Sequence, residues 1–530
     1  MLKNDWWRQG VIYQAYPASF QDSNGDGVGD LGGVIQRLDY LRWLGVDAIW
    51  LNPITVSPDA DMGYDVADYC DVQPRFGDLA AVDELIREAN MRDIKVVLDI
   101  VPNHSSDRHP WFIDSRASRT SAHRDWYVWA DPKPDGGPPN NWLSVFGGPA
   151  WTLDAHTGQY YLHNFLAEQP DLNWWNPQVR DAFDDIYRFW FDRGVAGFRI
   201  DVAHAIVKDR ELRDNPVATA ADPPHVRAFG QRAIYNMERP EVHAVLRRWR
   251  TLANSYTPPR ILLGETYVLD VKTMGLFYGQ GDELHLAFNF SYVHASFEAE
   301  ALASVVDESE TVIPASGWPV WTVSNHDVSR VMSRWAKGDE RKHRCALLSL
   351  LTLRGTPVLY YGDEIGMSDT PIARDDLRDP VGIRHWPQPR GRDPERTPMQ
   401  WEDGAGAGFT NAGVRPWLPL GDSRSINVAA QRNDPNSMLH FVRNLITFRR
   451  TEPDLTAGDS ARLPAPAGGW AWRRGAGTIV ALNLSDERVA FPGLSATVRF
   501  STTQGRVDDG ANRELQLEPW EGAICSSGST

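Results

Sequence analysis

Short apolar runs recur along this chain, separated by longer amphipathic stretches. The runs are Val11-Ile12-Tyr13, Ala48-Ile49-Trp50-Leu51, Val96-Val97-Leu98, Val195-Ala196-Gly197-Phe198, Ile261-Leu262-Leu263, Leu286-Ala287-Phe288, Val320-Trp321-Thr322-Val323 and Val358-Leu359-Tyr360. None alternates apolar with polar, so each reads as a strand buried on both faces, as in a parallel sheet. Helical stripes lie between several of them: Val34-Ile35, Leu38, Leu41 and Leu44 form one, and Val82, Leu85-Ile86 and Ala89 another. Strand alternating with helix about eight times predicts an α/β chain folded as a (β/α)8 TIM barrel. In that architecture the functional side chains gather at the C-terminal ends of the strands.

The alternation is interrupted twice. After the third run, residues 104–172 are rich in Trp, Pro, Gly, Asn and Asp, and Asp131-Pro132-Lys133-Pro134-Asp135-Gly136-Gly137-Pro138-Pro139 cannot be helix. A structureless loop of that length is unusual, so 104–172 is expected to be a small inserted domain over the strand ends. A second excursion, at about 363–430, follows the eighth run and contains Arg384, Arg392 and Arg396. A helix resumes at Met438-Leu439-His440-Phe441-Val442-Arg443-Asn444-Leu445-Ile446. Thr478-Ile479-Val480-Ala481-Leu482-Asn483-Leu484 and Ala496-Thr497-Val498-Arg499-Phe500 are then short strands between turn residues. The expected layout is barrel at 1–103 and 173–455, insert at 104–172, and a C-terminal antiparallel β-domain at 456–530.

Composition narrows the class. The 530 residues suffice for a large core and more than one domain, and the net charge of -16 argues against nucleic acid and anionic membranes as partners. Three cysteines, Cys70, Cys345 and Cys525, match no metal or disulfide framework and fit a reducing compartment. No apolar run approaches a bilayer span, and Met1 to Trp7 lacks the apolar stretch of a signal peptide, so a cytoplasmic location is expected.

The chemistry lies in four segments, each just after an apolar run: Asp99-Ile100-Val101-Pro102-Asn103-His104, Gly197-Phe198-Arg199-Ile200-Asp201, Gly264-Glu265-Thr266 and Asn325-His326-Asp327. Cleaving a glycosidic bond needs one acid to protonate the leaving oxygen and a second carboxylate at the anomeric carbon. Arg199 and Asp201 are two apart on one strand and face the same way. The guanidinium is expected to keep Asp201 ionised, as a nucleophile requires. Glu265 follows Leu262-Leu263-Gly264, and apolar surroundings suit a general acid. Asp327 would be a third carboxylate near the oxocarbenium-like transition state, and His104 and His326 can bond sugar hydroxyls.

These segments resemble the signature regions of the α-amylase family, glycoside hydrolase family 13, and the resemblance runs from Trp6 to the β-domain. It implies a retaining mechanism with Asp201 as nucleophile, Glu265 as general acid/base and Asp327 as transition-state stabiliser. Gln169-Pro170-Asp171-Leu172-Asn173 looks like the fingerprint of the branch that acts on oligosaccharides. That branch includes α-glucosidases, oligo-1,6-glucosidases, trehalose synthases and sucrose-acting enzymes. Its pocket closes around one terminal glucose. Matching positions are Asp61, Tyr64, Phe146, Phe165 and Arg396, with an Asp61–Arg396 pair gripping the non-reducing end.

Asp22-Ser23-Asn24-Gly25-Asp26-Gly27-Val28-Gly29-Asp30 spaces oxygen donors like the start of an EF-hand loop, although position twelve is Gly33 rather than Glu. The resemblance implies one structural Ca2+ (or Mg2+) held by Asp22, Asn24, Asp26, the Val28 carbonyl and Asp30. A polar turn without metal is the alternative. The expected activity is exo-acting α-glucosidase on short α-glucosides, with transglycosylation when a sugar replaces water. Val202 after the nucleophile accompanies α-1,6 cleavage in related enzymes. Val202-Ala203-His204-Ala205 as a whole looks more like enzymes that take maltose, which favours α-1,4. A trehalose synthase, a sucrose-acting enzyme and a non-catalytic transporter-associated relative are the competing readings. The last conflicts with the presence of all three acids.

Overall fold

The computed structural model describes residues 5–503, 505–507 and 514–527. Eight parallel strands form the barrel: β1 (Ile12–Ala15), β2 (Ala48–Leu51), β3 (Lys95–Ile100), β4 (Gly197–Ile200), β5 (Ile261–Gly264), β6 (Leu286–Ala287), β7 (Val320–Trp321) and β8 (Thr356–Tyr360). Each coincides with one of the eight apolar runs. The sheet runs β6-β5-β4-β3-β2-β1-β8-β7, and a parallel bridge between Phe288 and Val320 joins its two edges into a closed ring.

Strand alternation sorts the side chains. Ile12, Ala48, Trp50, Val97, Ile261, Leu263, Leu286, Val320 and Val358 pack together inside the ring. Their neighbours Tyr13, Ile49, Val96, Leu98, Phe198, Leu262 and Leu359 join the larger core facing the helices. The same parity carries the inner row to Gln14, Asp99, Arg199, Asp201 and Glu265 at the C-terminal end. An apolar core therefore becomes a polar floor at one end of the barrel.

The stripe at 34–44 is carried by two helices, Leu31–Gln36 and Leu38–Leu44, and the stripe at 82–89 by Leu79–Met91. Within 104–172 lie the helix Pro110–Ala117 and an antiparallel sheet of Trp129–Ala130, Gln159–Leu162 and Trp151–Asp154. Bridges His104–Asp171 and Tyr127–Leu172 draw the two ends of that stretch together beside β3. A third long connection, not expected from the pattern, follows β4. Residues 202–241 carry only the short helix Pro224–Phe229 before Val242–Asn254, because Pro216, Pro223, Pro224 and Pro240 interrupt it. The C-terminal sheet is six-stranded and antiparallel, in the order Ser460–Leu463, Gly469–Arg474, Thr478–Asn483, Gly522–Ser527, Val489–Ser501 and Glu514–Leu517. Among the described residues no helix is long and apolar enough to cross a membrane.

Gly197 starts β4 because nothing larger fits: a Cβ there would sit 2.4 Å from the Ile261 carbonyl oxygen and 2.3 Å from its Cγ1. Gly197→Ala is expected to cost about 1–3 kcal/mol through overpacking. It should also lower activity, because Arg199 lies two residues further along the strand. Gly264→Ala meets chiefly the movable Leu284 methyls, the nearer at 2.3 Å, and should cost less. Thermal unfolding of both variants checks the order.

Candidate active site

Asp99 and Arg199 are register partners across β3 and β4, and β5 pairs the other side of β4. That register places one buried guanidinium among three carboxyls. Arg199 Nη1 lies 2.8 Å from Asp99 Oδ1 and 2.6 Å from Asp201 Oδ1, and Nη2 lies 2.8 Å from Glu265 Oε2. Glu265 Oε2 also accepts the Val202 N–H at 2.8 Å. Val202 holds a φ of +36°, a conformation that β-branched residues rarely adopt.

The electrostatics correct one expectation. Arg199 does favour charge on Asp201, but burial together with Glu265 and Asp99 outweighs it and raises the Asp201 carboxyl well above its ordinary range. Burial likewise pushes Asp99 up to about 7 against the pull of Arg199. One cation does not offset burial among three adjacent carboxyls, so Asp99 and Asp201 are both raised.

Asp327 has the opposite surroundings. Arg396 Nη2 lies 2.8 Å and Arg392 Nη1 3.2 Å from its Oδ1, with His326 Nε2 3.2 Å from Oδ2. Burial opposes its charge, but the adjacent His326 ring N–H and the Arg392, Arg396 and Arg199 guanidiniums together hold the carboxyl below the ordinary range. The Gln14 amide nitrogen donates to His326 Nδ1 at 2.8 Å, which leaves the proton on Nε2. Nε2 reaches the Tyr64 hydroxyl at 2.6 Å, and that hydroxyl donates to Asp99 Oδ2 at 3.0 Å. Burial lowers His326 well below its usual value, so the ring is neutral.

The expected Asp61–Arg396 pair is not formed. Arg392 is the partner: its Nη2 lies 2.7 Å from Asp61 Oδ1, while Arg396 serves Asp327 and the His326 carbonyl. The two arginines are separated by the single 3-10 turn Asp393–Glu395, and Asp379 decides between them by bonding Arg392 Nη2 at 2.7 Å. Phe146 and Phe165 meet edge-on at 5.5 Å, and the Arg392 guanidinium lies 5.2 Å from the Phe146 ring. His104 packs on Phe165 at 5.3 Å, and burial pushes it down to about 3. Both ring nitrogens of His104 and of His326 already have protein partners. A sugar hydroxyl would have to exchange with one of them.

The segment Gln169 to Asn173 ties the insert to the barrel. Gln169 Nε2 donates to Asp61 Oδ2 at 3.1 Å, and Asp171 Oδ2 pairs with buried Lys208 at 2.8 Å. Lys208 also donates to Asn103 Oδ1 at 2.5 Å. Far from the acids in sequence, Asp22, Asn24 and Asp26 wind the loop 22–30 by accepting backbone N–H groups two residues on. Asp30 accepts from Ser23 and caps the helix Leu31–Gln36 through Gly33 N–H. Among the described residues, no three His, Cys, Asp or Glu side chains are grouped as a metal site. The donors of this loop are all oxygens, as a hard cation prefers, and include an amide and a carbonyl.

The profile of the alpha amylase catalytic domain matches residues 14–458. The chain belongs to the α-amylase family. This glycoside hydrolase is 46% identical over 468 residues to a probable α-glucosidase of Rhizobium meliloti, covering 86% of this chain and 84% of that one. It is 37% identical to the oligo-1,6-glucosidase of Parageobacillus thermoglucosidasius, over 99% of both chains. Among solved structures it superposes on the α-glucosyl transfer enzyme XgtA with a TM-score of 0.91 at 41% identity, covering 98% of this chain and 99% of that one. It superposes on the trehalulose synthase MutB of Pseudomonas mesoacidophila with a TM-score of 0.90 at 33% identity, over 98% of this chain and 99% of that one.

Sequence reasoning missed several residues of this α-amylase-family site. Arg392 lies in the second excursion, but the resemblance points to Arg396 for the pair with Asp61. Tyr267, two residues past Glu265, is 40% exposed and near enough for Asp327 and Glu265 to raise its hydroxyl further, after burial. Its position two residues along the strand direction from Glu265 was the available signal. Met237 and Ala233 from the unexpected connection pack with Val202 and Phe165, and no sequence pattern marks them. The Asp99 assignment is testable directly. Its carboxyl should be protonated below about pH 7 and lose that proton as the pH rises through 7. Infrared difference spectra should show a protonated-carboxyl band that disappears over this interval and is absent in Asp99→Asn.

Proposed function

We propose that the chain is a retaining, exo-acting α-glucosidase. It releases α-glucose from the non-reducing end of short α-glucosides, with maltose-type α-1,4 bonds preferred. The observation that carries this reading is the contrast around one pocket. Asp201 and Glu265 share the Arg199 guanidinium, while Asp61 and Arg392 close the far side. In the first step Asp201 Oδ bonds to the anomeric carbon as the glycosidic C–O bond breaks, and Glu265 gives its proton to the departing oxygen. In the second, Glu265 takes a proton from water, whose oxygen displaces Asp201. Two inversions give net retention. Asp327, held ionised by its arginines, lies where positive charge develops on the sugar ring. Asp61 and Arg392 can accept from and donate to the hydroxyls of the terminal glucose.

Transfer is the second reading, favoured by the likeness to an α-glucosyl transfer enzyme and a trehalulose synthase. A sugar hydroxyl then replaces water in the second step. Time-resolved NMR with maltose, isomaltose, sucrose and trehalose separates the two. The expected result is α-glucose appearing first from maltose, with little from isomaltose. Turnover of isomaltose or sucrose alone, or trehalose made from maltose, would reject the α-1,4 hydrolase. Asp201→Asn should cut kcat by roughly 10⁴-fold or more, as loss of a covalent nucleophile does.

We also propose one structural Ca2+ or Mg2+ in the loop 22–30, held by Asp22, Asn24, Asp26, the Val28 carbonyl and Asp30. The alternate spacing of oxygens and the left-handed Gly25 and Gly27 (φ +82° and +91°) support it. The ion would rigidify the loop and takes no part in the chemistry. Chelation should lower the melting temperature, and Ca2+ at about a hundred times its Kd should restore about 2.7 kcal/mol. Asp22→Ala should abolish that response. Three unpaired cysteines support a cytoplasmic location.

A further inference from the structure

The Phe146 ring meets Phe165 at 5.5 Å and the Arg392 guanidinium at 5.2 Å, yet it tops an exposed turn. The base of the turn is anchored: Ser144 Oγ donates to the Phe165 carbonyl at 2.7 Å, and Val145 N–H to that of Asn164 at 2.8 Å. Its tip is open. Gly147 and Gly148 hold φ of +93° and +82°, and a Cβ on Gly148 would meet nothing within 4 Å. The turn closes on itself through Ser144 N–H to the Gly148 carbonyl at 2.9 Å, Gly147 N–H to the Ser144 carbonyl at 3.0 Å and Phe146 N–H to Ser144 Oγ at 3.1 Å, but none of these bonds fixes the turn against Arg392.

One side chain reaches the tip from far along the chain. Arg384 Nη1 donates to the Phe146 carbonyl at 2.7 Å and to the Gly147 carbonyl at 3.1 Å. Arg384 is exposed and forms no ion pair among the described residues. Its charged donor is spent on two neutral acceptors of a glycine turn. The short helix that carries it, Pro380–His385, also fixes the other side of the contact. Its N-cap Asp379 accepts from Gly382 N–H at 3.3 Å and holds Arg392 through its N–H and Nη2, both at 2.7 Å. One helix thus aligns Arg392 from its first turn and Phe146 from its last.

We propose that Arg384 is a positioning residue for substrate: it clamps Phe146 over the sugar pocket and thereby sets how tightly the terminal glucose is held. The proposal rests on the α-glucosidase reading. With the clamp open, water reaches Arg392 and Asp61, and their bonds to sugar hydroxyls weaken through screening. The bond being formed and broken is untouched, so binding suffers more than turnover.

The test is a double-mutant cycle joined to hydrogen exchange. Arg384→Met should raise KM for the α-glucoside about five- to tenfold with kcat within about twofold, and Arg384→Lys should fall between. In a Phe146→Ala background, Arg384→Met should add less than about twofold, since its only route to substrate is gone. In the free protein, amides of residues 145–148 should exchange faster in Arg384→Met. Equal cost in both backgrounds overturns the proposal, as does unchanged KM despite faster exchange. Unchanged exchange overturns it whether or not the protein cleaves α-glucosides. A protein that cleaves none refutes the functional reading, and the exchange result then still decides whether the clamp exists.

Discussion

Everything at the mouth of this barrel depends on Arg199. A guanidinium taken out of water costs several kcal/mol unless anions surround it, and anions taken out of water need a cation in turn. Strand parity supplies both at one level: the inner rows of β3, β4 and β5 end on Asp99, Arg199, Asp201 and Glu265. The barrel below is apolar, so the field is little screened. Replacing Arg199 would leave three carboxyls facing one another without a counter-ion. They would hold protons more tightly still.

The imbalance extends through the site. Among the described residues, Asp61, Asp99, Asp201, Glu265, Asp327 and Asp379 form ion pairs with no Lys or Arg besides Arg199, Arg392 and Arg396. His104 and His326, both lowered by burial, add no charge. The surplus of acid has two consequences. Asp99 and Asp201 hold their protons more tightly than ordinary carboxyls do. The site is also best matched to a bound species that is more positive than the substrate. The sugar ring acquires such charge only in the transition state, so the field favours that state over the ground state.

The barrel was legible because its signal is local and repeated. Eight short runs without polar alternation read as strands covered on both faces, and every run became one. The acids were legible because they directly follow those runs. What could not be read depends on how distant segments meet. Arg392 and Arg396 look equivalent in sequence, and only Asp379 and the turn between them determine which faces Asp61. The connection after β4 has no period to betray it, so Met237 and Ala233 were invisible. The Asp201 environment was misjudged for a related reason: the two-residue spacing showed its cation, while its two competing anions come from other strands.

Val202 joins the backbone to this chemistry. A β-branched residue at φ +36° costs about 1–3 kcal/mol, and such strain persists only where surroundings enforce it. Here the enforcing contacts are identifiable. The amide of Val202 must face Glu265 Oε2, and its side chain must pack with Ala205, Met237 and Phe165. The residue after the proposed nucleophile therefore does two separable things. Its backbone holds the proposed acid, and any residue able to adopt this φ could do that. Its side chain shapes the wall beside Phe165. A side-chain effect of this position on linkage must then act through that wall and through Met237, not through the acid. The conflict between Val202 and the rest of its segment follows naturally, because the wall includes residues from a connection that the segment does not contain.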